Sequence, residues 1–164
     1  MIPISIPIMA GNEAAYLMNC VETNFVSSVG PFVTQFEKMV AAATGARFAV
    51  ATSAGTTGLH AALVAARVRP NELVVLPSYT FIASANAISQ AGAEPWLLDV
   101  DAASLNLDPA KLAEALEKKC QIGPNGCIHT ASGKRVAAIM PVHAFGQPAD
   151  MDSITSIAKI AHIP

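Results

Sequence analysis

The chain has 164 residues, enough for one domain with its own core. Hydrophobic residues make up 52% and charged residues 13%, yet no apolar run is long enough to span a bilayer. A net charge of −2 with ten scattered Lys and Arg excludes a basic nucleic-acid footprint; Cys20, Cys120, Cys127 and the four histidines lack metal-ligand spacing.

The start, Met1–Ile8, sets isoleucines beside Pro3 and Pro7 and lacks a basic leader. It reads as an extended arm rather than a signal peptide, which places the protein in the cytoplasm. Its isoleucines need a partner surface, so the arm points to oligomerisation. Asn12 to Phe25 reads as a helix with Tyr16, Met18, Cys20 and Val21 on one face. After a turn at 26–31, Pro31 opens a helix to Thr44 with Phe32, Phe36, Met39, Val40 and Ala43 at helical spacing, closed by Gly45. Residues 1–30 are expected to form an arm and helix, and 31–164 an α/β unit.

From Arg47 the chain alternates. Strands are expected at 47–52, 72–76, 95–100 and 136–141, and helices at 58–67, 82–90, 109–119 and 151–161. Near-continuous apolar strands between helices predict an α/β fold, a mostly parallel sheet covered by helices on both faces. Residues 121–134, with Gly123, Pro124, Asn125, Gly126 and Gly133, read as an exposed excursion. Ile160–Pro164 reads as a helix ending and a strand about to begin, so the sequence is expected to be the front of a longer domain.

Ala49–Leu63 carries the most chemistry. A β-branched strand runs into the small residues Ser53, Ala54, Gly55, Thr56 and Thr57 and then an alanine-rich helix. The start of a helix offers unpartnered N–H groups and a positive dipole end, which suits a phosphate. The turn lacks the Gly-Lys-Ser/Thr ending of a nucleotide-triphosphate loop and is not Gly-x-Gly-x-x-Gly. Close packing is the alternative reading of such a turn.

Further on come Pro77-Ser78-Tyr79-Thr80-Phe81, Asp99-Val100-Asp101 and Pro141-Val142-His143-Ala144-Phe145-Gly146, with Val26–Gly30, Phe36-Glu37 and Asp150-Met151-Asp152 completing the series. With these motifs the chain resembles the N-terminal part of the DegT/StrS nucleotide-sugar aminotransferases, fold type I pyridoxal-phosphate enzymes. The resemblance implies an incomplete large domain of that architecture and pyridoxal 5'-phosphate as cofactor. It implies that Gly55, Thr56 and Thr57 hold the cofactor phosphate and that Phe81 lies on its ring. Here Ala54 precedes Gly55 and Thr57 follows Thr56, which keeps the backbone donors while changing the hydroxyl pattern.

Ser27 and Ser28 resemble a loop near the bound sugar nucleotide, with a cap and turn as the alternative. Tyr79 and His143 lie at strand ends, where α/β sheets place ligands, and are candidate substrate contacts; for His143 the alternative is a satisfied structural histidine, since a base needs reach to a substrate proton. Glu37 and Lys38 read as a helix-surface pair, and Asp99 and Asp101 as loop acceptors. The Schiff-base Lys and the Asp that pairs with the ring nitrogen are expected beyond Pro164, leaving no catalytic residue here.

The resemblance implies amino transfer, from glutamate, to a keto group of a nucleotide-linked sugar by a homodimer. Alternatives are a dehydratase on the same scaffold and a non-catalytic phosphate-binding or dimerisation module.

Overall fold

The computed structural model describes residues 6–124 and 126–164. The first five residues of the expected arm lie outside the described residues; Ile6 and Ile8 beyond them are exposed. The chain divides into two compact units, Met1–Ala51 and Thr52–Pro164.

In the first unit, α1 (Glu13–Glu22) stops short of the expected Phe25. The Thr23 hydroxyl donates to the Asn19 carbonyl at 2.6 Å, and Asn24 turns left-handed at φ 62°, which ends the helix. The second helix, α2 (Pro31–Thr44), has the expected bounds, with Gly45 in the left-handed conformation after it. Tyr16 and Phe32 bring their rings to 4.9 Å, but neither helix buries a residue fully.

The strand expected at 47–52 is not formed: the segment is unpaired, and Phe48 and Val50 are exposed. A strand needs a ladder partner for its N–H and C=O groups. Among the described residues none pairs with it, and the Ala51 N–H donates instead to Glu37 Oε1 at 2.9 Å. Glu37 is therefore a backbone acceptor rather than half of a surface pair with Lys38.

The second unit runs α3 (Gly55–Ala65), β1 (Leu73–Pro77), α4 (Ile82–Gln90), β2 (Glu94–Leu98), α5 (Pro109–Lys119), β3 (Cys120–Gly123), β4 (Gly126–His129), β5 (Val136–Ile139) and α6 (Met151–Ile160). Parallel strands form a sheet in the order β2-β1-β5. All five residues of the central β1 are buried, as its continuous apolar run requires. Val74 and Leu76 pack with Leu63, Ala87 and Ile88 from α3 and α4. Leu73 and Val75 pack on the other face with Leu112, Leu116 and Ile154 from α5 and α6. Each face thus has its own core, and the expected two-sided cover is present. The turn from α4 into β2 needs Gly92: its φ is +74°, and a Cβ there would sit 3.1 Å from Pro70.

Residues 120–129 differ from the expected excursion. They form an antiparallel hairpin, β3-β4, with Ile122 opposite Cys127. Gly123 pairs with Gly126, and Cys127, only 1% exposed, joins the α5–α6 core. Burial also pushes the Cys120 thiol up to about 12.

Candidate functional site

Helix α3 begins three residues earlier than the sequence pattern indicates, so Gly55, Thr56 and Thr57 are its first turn. The first N–H bonded inside the helix is that of Gly58, which donates to the Ala54 carbonyl at 3.0 Å. The N–H groups of residues 55–57 thus remain the helix's orphan donors. Ala54 has no side-chain acceptor to cap them. The Thr57 hydroxyl folds back instead, accepting from the Ala54 N–H at 3.1 Å and donating to the Ala54 carbonyl at 2.7 Å. A Cβ built at Gly55 meets nothing within 4 Å, so the cradle is open to a ligand. At Gly58 a Cβ would lie 3.1 Å from Thr52 Oγ1, so the closed side of the turn lies there.

Helix α3 packs against α4, and Phe81 is the N-cap of α4. Phe81 is 79% exposed, so it is not the core residue that its apolar character alone would suggest. Its place is fixed from below: the Ser84 N–H donates to the Phe81 carbonyl at 3.0 Å, and the buried Ser84 hydroxyl meets Thr80 Oγ1 at 2.9 Å. Tyr79, two residues earlier, is half exposed and lies 5.8 Å from the Phe145 ring, centroid to centroid.

His143 follows β5, which neighbours β1 in the sheet. Its Nδ1 accepts from the Ala149 N–H at 3.0 Å, which leaves the proton of the neutral ring on Nε2. His143 thus has a structural partner on one ring nitrogen. Asp99 and Asp101 are acceptors, as expected. The Lys111 ammonium, 2.7 Å from Asp99, holds that carboxyl below the usual range. Hydrogen bonds from Ser104 do the same for Asp101. Ser27 and Ser28 are exposed in a bend of the Met1–Ala51 unit.

Two residues near the site carry no role in the sequence reading. Phe145 is 80% exposed with φ 53° and ψ 25°, and Asn106 is a buried polar residue bonded to the loop that holds it. The recess at Gly123, Gly126, Arg135 and His162 touches none of the candidate residues. Among the described residues no cluster of His, Cys, Asp and Glu is arranged to hold a metal, and no helix is long and apolar enough to cross a membrane.

The parallel sheet with helices on both faces is an α/β architecture that matches part of the fold type I aminotransferases. The chain belongs to the DegT/DnrJ/EryC1/StrS aminotransferase family, which it matches over residues 7–164. It is 44% identical over 158 residues to the GDP-perosamine synthase of Caulobacter vibrioides, covering 96% of this chain and 38% of that protein. An aminotransferase from Psychrobacter cryohalolentis superposes with a TM-score of 0.80 at 29% identity, over 98% of this chain and 37% of the other. NtdA from Bacillus subtilis, solved with its cofactor PMP bound, superposes at 0.77 with 26% identity, over 99% and 36% of the two chains. The chain spans well under half the length of these relatives.

Proposed function

We propose that this chain carries the phosphate-holding and ring-covering half of a pyridoxal-phosphate site used for amino transfer to a keto group of a nucleotide-linked sugar. The first turn of α3 carries this reading: three orphan N–H groups, no side-chain cap, and open space over Gly55. Such a turn binds a phosphate through backbone donors and the helix dipole. The exposed Phe81 supplies a flat apolar face for a pyridine ring, excluding water on that side. When bound, pyridoxal phosphate is an electron sink that lets an amino group pass between donor and keto acceptor.

None of the six lysines is assigned to that transfer. Lys111, Lys118 and Lys134 are ion-paired with Asp99, Glu114 and Glu94. Lys38 and Lys159 sit on α2 and α6, and Lys119 ends α5. The amino-transferring Lys and the Asp for the ring nitrogen belong, in this reading, to the length of the relatives that the chain does not span. Glutamate is the proposed donor and a homodimer the working form, with residues 1–30 as arm and helix and 31–164 as the front of the cofactor domain.

The test uses pyridoxamine 5'-phosphate, which has no aldehyde to react with surface lysines. Gly55→Val adds bulk into open space, so the unfolding midpoint should hold. Affinity for the probe, by equilibrium dialysis, should fall at least tenfold. Equal affinity in Gly55→Val and the parent chain overturns the phosphate assignment.

A further inference from the structure

A bulky side chain with positive φ is rare and strained, and it persists only where its surroundings over-determine it. Phe145, at φ 53° and ψ 25°, is such a residue, and it is held from two sides. The Asn106 side chain, 3% exposed, accepts from the Ala144 N–H at 2.8 Å and donates to the Gln147 carbonyl at 3.1 Å. His143 clamps the same loop through the Ala149 N–H. Asn106 is fixed in turn: the Asp101 N–H donates to its carbonyl at 2.9 Å, and the Asp101 carboxylate accepts from Ala103 and Ser104. All this order ends in a ring left 80% exposed on this chain.

We infer that Phe145, locked by Asn106 and paired with Tyr79, is a substrate-contacting wall for the hexose ring of the nucleotide-linked substrate. This rests on the aminotransferase reading above. Tyr79 and Phe81 follow β1 two residues apart, and Phe145 lies in the short turn Ala144–Gly146 of the loop after the adjacent β5, so the ring pair joins the loops at the strand ends that carry the proposed cofactor contact. The part of a substrate that meets a cofactor is the part that reacts, here the sugar rather than the base. A pyranose presents C–H bonds on its face, which suit the negative face of an aromatic ring, and the Tyr79 hydroxyl offers one polar contact at the rim. Asn106 acts through the loop and is a positioning residue.

The test is saturation-transfer NMR on the full chain with GDP-mannose as probe. Transfer to the hexose ring protons is expected, and Phe145→Gly should lower affinity about tenfold while leaving the unfolding midpoint no lower, since glycine relieves the left-handed strain. Asn106→Leu should weaken hexose binding with Phe145 still present. Both variants should bind pyridoxamine 5'-phosphate like the parent chain. Loss of that binding in the parent chain would fail the functional reading itself. Retained pyridoxamine 5'-phosphate binding overturns the wall alone if it comes with no GDP-mannose binding, transfer to base protons only, or an unchanged Phe145→Gly.

Discussion

The two compact units share a helical pattern but not its consequence. In Thr52–Pro164 the apolar residues close on a sheet, and Val74, Val75 and Leu76 lose all contact with water. In Met1–Ala51 the helices carry Leu17, Phe36 and Met39 at 63%, 57% and 62% exposure. Periodicity shows that a helix has an apolar face; burial needs a second layer to lie against it. The helix ends differ too. Asp108 and Asp150 cap α5 and α6 with their carboxylates, whereas α3 and α4 of the same unit, like α1 and α2, start without a side-chain cap.

The largest expected effect tests the buried side of this contrast. Leu76→Ala should cost about 2–5 kcal/mol in urea unfolding, the range for a buried leucine. Leu17→Ala should stay within about 0.5 kcal/mol, as exposed substitutions do. Similar losses at both positions would break the comparison.

Asp108→Ala comes next, at about 1 kcal/mol, because it removes the acceptor of the Ala110 and Lys111 N–H groups. The smallest effect sharpens the contrast through pH. Hydrogen bonds from Ser153 hold the Asp150 carboxyl below its ordinary range, so the unfolded chain takes up that proton first. The cap's contribution is full above about pH 4 and is lost as pH falls through and below that point. Protection of the amides at the start of α6, taken relative to their intrinsic exchange rate at each pH, should therefore fall in acid while that at the start of α2 does not. Equal acid sensitivity at both helix starts would remove the distinction.

Much of the fold was legible because β1 and its flanking helices are specified locally, by an apolar run and by helical spacing. The segment at 47–52 has the same strand-like composition, but pairing is a property of two segments and no single run encodes it. The hairpin at 120–129 hid because its strands are four residues each and its Gly and Pro read as loop. In the proposed site, Gly55–Thr57 read as a motif and Phe81 only through the family resemblance, while the true start of α3 depends on the reach of Thr57 back to Ala54. Phe145 and Asn106 were missed because a left-handed phenylalanine has no sequence signature and the bonds that hold it span about 40 positions. The short spacing Asp101, Ser104, Asn106 was the one available signal, as a tight turn built on an acidic side chain.

The α3 cradle has a further consequence in titration. Its donors are peptide N–H groups and its side chains are a glycine hydrogen and two hydroxyls, none of which ionises near neutrality. A phosphate ester held there therefore brings the only titrating group of the cradle, its own second ionisation near 6. Phosphate binding at this turn, as proposed, would take its pH profile from the ligand rather than from the protein.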